Sequence, residues 1–363
     1  MNPIVRALYR WAGPLLAVLA AATLSACSDS GSPGVGPQAR HYRMGFSPVP
    51  PRFDPALIVP TIDMWALRAD AGLIVNEPPW DSLLAGKSPD SLIRNNQLGL
   101  ANYYRTKGLH VIVSVDATNG LDRTGDSAPL AAAGRSLTEP AIQQLFRDYV
   151  TAMDTLIHPD YIGVASETNL IRAAAPSALY SAVVAAANGA ASDVRAVDPG
   201  ARIFTTVQVE TAWGRLPPTT PYVGIAQDLI DFGFDNALGL SSYPYLGGFT
   251  DPDSLPLDYY SRLVNSGPLP VMVIEGGWSS ESVVSPSSPD MQRRYIVREA
   301  ELLDQAKAIG WFQITFTDID TASISLPPGS IIPLFAHLGL VDINLTPKPA
   351  LQAWDAIFAR PLR

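Results

Sequence analysis

Two glutamates, Glu167 and Glu275, each close a short apolar run. One lies in Tyr161-Ile-Gly-Val-Ala-Ser-Glu167-Thr-Asn169, the other in Pro270-Val-Met-Val-Ile-Glu275-Gly-Gly-Trp278. A carboxylate at the end of a β-run is costly unless the strand opens into a solvated, polar cleft. Where strands are parallel and end on one face, two such residues far apart in sequence can point into the same cleft. A facing pair of carboxyl groups suits cleavage of a glycosidic bond. One attacks or stabilises the anomeric carbon and the other protonates the leaving oxygen. The competing reading makes each glutamate an ion-pair partner at a strand end.

The pair needs a parallel sheet to position it, and the apolar pattern supplies one. Candidate strands are Tyr42–Ser47, Gly72–Asn76, His110–Val115, Tyr161–Ala165, Arg202–Val207, Ala237–Ser242, Pro270–Ile274 and Trp311–Thr315. Helical patterns fill the gaps, among them Thr138–Met153, Ser177–Val197, Ser288–Lys307 and a last helix, Pro349–Ala359. Runs such as Val111-Ile-Val-Ser-Val115 suit strands covered on both faces. This alternation predicts an α/β fold, a single-domain (β/α)8 TIM barrel, in preference to an open doubly wound sheet. No Gly-rich phosphate loop follows the first strand, which weakens a nucleotide-binding alternative.

On this count Glu167 follows strand four and Glu275 follows strand seven. With Ala165-Ser-Glu167-Thr-Asn169, Leu238-Gly-Leu-Ser-Ser-Tyr243-Pro-Tyr245 and Val273-Ile-Glu275-Gly-Gly-Trp278, the chain resembles the retaining glycoside hydrolases of clan A. Its nearest local likeness is to the arabinogalactan endo-β-1,4-galactanase family, through the strand-six segment above all. The resemblance implies Glu275 as nucleophile and Glu167 as acid/base, with carboxyl groups ~5–5.5 Å apart. Glu167 is then expected to stay protonated, through its neighbour's negative charge and partial burial. Tyr243 is expected to hydrogen-bond the nucleophile.

The chain departs from the clan at two places. Ser166 stands where the clan carries an Asn that binds the sugar 2-hydroxyl, and Asn169 is the residue expected to compensate. No Trp ends strand eight, since Trp311 falls at its start, so a sugar platform is expected from Trp278, Trp80 or Trp213. The run Asn76-Glu77-Pro78-Pro79-Trp80 carries the clan's familiar Asn-Glu-Pro motif but follows strand two. Glu77 and Trp80 are therefore read as cleft lining. Asp116, Asn119, Gln208, Glu210, Tyr243, Tyr245, Asp318 and Asp320 fall just past strands, on the face where barrel sites lie. Of these, Asp116, Tyr243, Tyr245 and Asp318 join Asn169, Trp278, Glu77 and Trp80 as expected substrate contacts.

The N-terminus reads as a leader. Arg6 and Arg10 precede an apolar stretch, Pro14–Leu24, too short for the ~20 residues of a spanning helix. Leu24-Ser25-Ala26-Cys27 resembles a bacterial lipobox, which implies cleavage after residue 26 and diacylation of Cys27, the sole cysteine. Residues 27–40 are Gly/Ser/Pro-rich and read as a flexible tether, leaving 41–363 for the barrel. The expectation is an exported bacterial lipoprotein, anchored in the outer membrane and facing periplasm or cell surface. Losing the leader removes two arginines and no acid, moving the net charge from −9 to −11. An acidic chain without a basic run argues against nucleic acid as partner. The four histidines show no metal spacing, and no Gly-x-Ser-x-Gly elbow is present. No metal or cofactor is expected, and the expected state is a monomer whose partners are a carbohydrate and the membrane. The sequence thus predicts a retaining glycoside hydrolase acting on a β-linked poly- or oligosaccharide. Two alternatives stay open: a carbohydrate-binding or surface-assembly lipoprotein with a degraded site, and a transglycosylase using the same pair.

Overall fold

The computed structural model describes residues 38–216, 224–264, 269–326 and 329–363. Eight strands run in chain order: β1 Arg43–Phe46, β2 Ala71–Asn76, β3 His110–Val115, β4 Tyr161–Gly163, β5 Ile203–Gln208, β6 Ala237–Ser242, β7 Val271–Gly276 and β8 Gly310–Gln313. Each pairs in parallel with the next, and β8 pairs with β1, so the sheet closes into a barrel. All eight expected runs form strands. β4 is shorter than expected, although the Val164 N–H still donates to the Phe204 carbonyl and the Ala165 carbonyl accepts from the Thr206 N–H, each at 3.0 Å, before the chain turns to Glu167.

Alternation along each strand divides the side chains between two apolar regions. Ala71, Leu73, Ile112, Phe204, Ala237, Met272, Ile274 and Phe312 form one cluster, the barrel interior. It is crowded: a Cβ on Gly163 would stand 2.7 Å from the Phe204 ring, so only glycine fits there. The opposite faces pack against the helices. Helix Pro140–Ile157 buries Ile142, Phe146, Val150 and Met153, and helix Ser177–Val197 lies beside it with an alanine face, Ala182, Ala186 and Ala190. Trp354, on the last helix Pro349–Phe358, has its ring 4.6 Å from both Phe46 and Trp311. Trp311 is thus an outer-core residue, as its place at the strand start implied.

The expected leader, the lipid-bearing Cys27 and residues 27–37 of the tether lie outside the described residues. Arg40, placed by sequence at the tether's end, belongs to the folded body. It is buried and its guanidinium grips Asp70, with Nη1–Oδ2 at 2.6 Å. Among the described residues no helix is long and apolar enough to cross a membrane, and no group of three or more His, Cys, Asp or Glu is placed to hold a metal ion.

Candidate active site

The inward-facing positions continue upward past the core. One step beyond the last apolar layer stand Val75 on β2, Asp116 after β3, Gln208 on β5, Tyr243 after β6 and Ile314 after β8. All five line a cleft of about 400 Å³ that also contains Glu167 and Glu275. This is the C-terminal face of the strands, where barrel loops can surround a ligand. Glu275 reaches it by an irregularity. Ile274 already faces the barrel interior, so strict alternation would turn Glu275 toward the helices. The β6–β7 register instead shifts, with Leu240 opposite Val273 and Ser241 opposite Glu275. The extra residue rotates the strand end, and Glu275 turns into the cleft.

Glu167 is held by different means. Its backbone is left-handed, at φ 49° and ψ 46°, an uncommon conformation for a residue with a Cβ. The Glu167 N–H donates to Thr206 Oγ1 at 2.8 Å, tying the loop to β5. Both carboxylate oxygens are engaged. Oε1 accepts from Ser241 Oγ at 2.7 Å, and Oε2 accepts from Arg123 Nε at 2.9 Å. The same guanidinium donates from Nη1 to Asp116 Oδ2 at 2.6 Å. Arg123 and Asp116 are both buried, so one cation is sandwiched between two carboxylates away from bulk water.

Glu275 faces no cation directly. Tyr243 Oη donates to its Oε1 at 2.7 Å. Burial first, and then the charge of Glu167, push its carboxyl up to about 7, against the lowering effects of Tyr243 and Arg123. Burial also raises Asp116, which Arg123 counteracts. Burial and like charge thus act on Glu275. The environment that favours a neutral carboxyl surrounds Glu275, whereas Glu167, expected to hold the proton, faces a guanidinium. The reason is Arg123, whose side chain enters from the loop after β3.

Several expected substrate contacts have other roles. Asn169 is fully buried, and both ends of its amide bind the backbone of Gln208: Nδ2 donates to the carbonyl at 2.9 Å, and Oδ1 accepts from the N–H at 2.8 Å. It fastens the Glu167 loop to β5 and, fully buried, is closed to a sugar. Trp278 is buried, its Nε1 donating to Ser287 Oγ at 3.0 Å and its ring packed on Tyr245 and Tyr295. Trp80 is likewise buried, and Trp213 lies beneath Arg262 with its ring centroid 4.7 Å from the guanidinium. None of the three is a platform in the cleft. Tyr245 stands behind Tyr243, its Oη donating to the Leu334 carbonyl at 2.8 Å.

Glu77 and Asp318 brace loops. Glu77 Oε1 accepts from the Gly120 N–H at 3.0 Å and Oε2 from Ser127 Oγ at 2.7 Å, which anchors the loop bearing Arg123. Asp318 Oδ1 accepts from Lys348 Nζ at 2.6 Å and from the Gly339 N–H at 3.0 Å. Of the eight expected substrate contacts, Tyr243 and Asp116 face the cleft.

Three further residues matter that the sequence reading did not single out for these roles. Arg123 had no motif around it, and only its distance of seven residues from Asp116 hinted at a pair. Ser241 was readable by alternation, two residues before Tyr243. Glu210, expected just past a strand on the site face, is fully buried beneath Tyr243. It accepts from the Tyr243 N–H at 2.9 Å, Gln208 Nε2 at 2.7 Å, Ser242 Oγ at 3.0 Å and Tyr259 Oη at 3.1 Å. It thereby fixes the turn that aims Tyr243 at Glu275.

No protein-family model matches this chain, and no curated protein matches it in sequence. Solved structures do match in fold. The exo-beta-1,4-mannosidase Op5Man5 from Opitutaceae bacterium strain TAV5 superposes with a TM-score of 0.65 at 17% identity, covering 88% of this chain and 59% of its own. A family 39 glycoside hydrolase from the gut symbiont Bacteroides cellulosilyticus WH2 gives 0.60 at 16% identity, over 88% of this chain and 64% of its own. GH5_18 from Streptomyces cattleya, solved in complex with GlcNAc, gives 0.63 at 16% identity, over 90% and 83%. The chain thus spans less than two thirds of the length of the first two. At these identities the likeness establishes the (β/α)8 fold.

Proposed function

We propose that this chain is a glycoside hydrolase that cleaves a β-linked poly- or oligosaccharide with retention, using Glu275 as nucleophile and Glu167 as acid/base. The observation that carries the reading is the convergence of Glu167, after β4, and Glu275, on β7, in one cleft, with Tyr243 bonded to Glu275. The matched glycoside hydrolases share the barrel and so support the class. In the first step a Glu275 oxygen bonds to the anomeric carbon as the glycosidic C–O bond breaks, and the leaving oxygen takes a proton from Glu167. In the second, Glu167 removes a proton from water, whose oxygen displaces Glu275. Tyr243 holds Oε1 of Glu275, which leaves Oε2 to attack.

The reactive state requires the pair to carry one proton, on Glu167. Burial pushes the Glu275 carboxyl up, whereas Tyr243 and Arg123 favour its ionised form. Positive charge developing at the anomeric carbon further stabilises ionised Glu275 as Glu167 passes its proton to the leaving oxygen. When Glu167 is neutral, Arg123 retains Asp116 as its partner. Within the class, β-1,4-galactan is the first polymer to try, because the galactanase-like run Leu238–Tyr245 supplies Tyr243 and Ser241. The test is product release from a panel of β-linked glycans by the wild type, Glu275→Gln and Glu167→Gln. Release by the wild type, lost in both variants, supports the reading; equal release by all three overturns it.

One observation favours a second reading, a carbohydrate-binding protein on the same barrel. Arg123 and Ser241 occupy both oxygens of Glu167, which suits a fixed charge better than a proton donor. Glycan binding unchanged in Glu275→Gln, with no product from the wild type, would select it.

A further inference from the structure

The cleft does not end at the two glutamates. A second depression of about 500 Å³ opens beside it over the loop that follows β1 and shares three lining residues with it, Val49, Val75 and Ile314. Its remaining wall is mostly apolar, with Pro48, Pro50, Pro55, Ile58 and Phe53. Phe53 is 76% exposed and Val75 44%, so an apolar strip faces solvent next to the carboxylate pair.

The polar side chains that line this wall are two, Ser47 and Asp54. Ser47 Oγ donates to the Ile314 carbonyl, and Asp54 Oδ1 accepts from the Ala56 N–H at 2.9 Å. Arg52, on the same loop, is turned to Asp320, with Nε–Oδ2 at 2.9 Å. A sugar ring needs donors and acceptors for each of its hydroxyls, more than the side chains of Ser47 and Asp54 supply. An apolar group needs none. The wall is aliphatic and proline-rich with one aromatic ring, which suits a flexible chain over a stack of flat rings.

We propose that the groove walled by Phe53, Ile58, Val49, Val75 and Ile314 binds an alkyl or acyl chain carried by the sugar, so that the substrate is an amphiphilic, glycolipid-like glycoside. The inference rests on the hydrolase reading of the adjoining cleft. The groove shares Val49, Val75 and Ile314 with that cleft, so one molecule laid across these residues places its sugar over Glu275 and its chain along Phe53. Burying each methylene in such a groove tightens binding about three- to fourfold.

The experiment measures Kd calorimetrically for methyl, butyl, hexyl and octyl β-D-galactosides and β-D-glucosides below their micellar concentrations. It uses the full chain carrying Glu275→Gln, with and without Phe53→Ser. Expected is a fall in Kd of about threefold per methylene, flattened by Phe53→Ser. A Kd independent of chain length overturns the groove. So does a slope that Phe53→Ser leaves untouched, or a Phe53→Ser change in solution mass, which would make the strip a contact between copies. Turnover of methyl glycosides by the wild type is measured in parallel. Turnover with a flat slope removes the groove and leaves the hydrolase; a steep slope with no turnover of any glycoside removes the hydrolase and leaves a lipid-chain site.

Discussion

Arg123 Nε sits 2.9 Å from Glu167 Oε2, while its Nη1 sits 2.6 Å from Asp116 Oδ2. One buried cation therefore serves two carboxylates, and a third, Glu275, shares the cleft without a cation of its own. Burial and the charge of Glu167 accordingly push the Glu275 carboxyl up to about 7.

That arrangement fixes the pH dependence. The reactive state holds one proton on the pair, so kcat/KM is expected to fall as pH rises past about 7, where Glu275 gives up its proton and both carboxylates become charged. Arg123 lowers Glu275, so Arg123→Gln is expected to move this alkaline limb to higher pH. A pH–rate profile of the two proteins checks it; a limb that stays in place rejects the coupling.

The two glutamates are expected to fail differently. Glu275→Gln removes the attacking group and should cost ~10²–10⁴-fold in kcat on every substrate. Glu167→Gln should cost as much on alkyl glycosides but far less on dinitrophenyl glycosides, whose leaving group needs no proton. Equal losses on both substrate types would remove the acid role from Glu167.

Tyr243→Phe deletes the bond to Glu275 Oε1. A hydrogen bond to a charged group contributes about 1.5–3 kcal/mol, so kcat is expected to fall about 10- to 100-fold. The bond lowers Glu275, so the alkaline limb should also move up. Steady-state rates across pH separate this from simple loss of packing, which would leave the limb where it is.

Asn169 is expected to matter for stability and not for binding. Asn169→Ala strands the Gln208 N–H and carbonyl in the interior, which costs about 1–3 kcal/mol for each unsatisfied group. Chemical denaturation should report the loss, with KM for short glycosides changed little. A large rise in KM at unchanged stability would restore it as a sugar contact.

Glu299 gives a pH signature outside the site. Burial raises it to about 8, and both its oxygens accept from Tyr260 Oη at 2.8 Å. Burial likewise raises Asp235 to about 8. Each binds its proton more tightly folded than unfolded, so its contribution is full below the unfolded value and is lost as pH rises toward 8. Tm is expected to drop between pH 5 and pH 8, and Glu299→Gln should make the drop smaller. An unchanged difference in Tm would assign the drop elsewhere.

The barrel was legible because its signal is local and repeated. Eight buried strands read as continuous apolar runs, and the two glutamates stood out because each charge closes such a run. Tyr243 and Asp116, expected just past strands on the site face, line the cleft. Aromatic residues were the failure. Indole chemistry suits a cleft, but indole area is as useful to a core as to a ligand: Trp80 is buried, and Trp278 packs against Tyr245 and Tyr295. Asn169 and Glu77 failed likewise, since a polar side chain near a strand end is as apt to bind backbone as substrate.

The sequence by itself determined the parallel barrel and the presence of a carboxylate after β4 and on β7, because apolar periodicity and a charge within it are properties of a short stretch of chain. Only the tertiary structure decided how Glu275 faces inward, through a register shift that depends on the neighbouring strand. It alone placed Arg123 between Asp116 and Glu167, because the conformation of a loop is set by what it packs against. The protonation of the pair follows from that contact and from burial. Both are sums over neighbours distant in sequence, and the order of the residues does not display them.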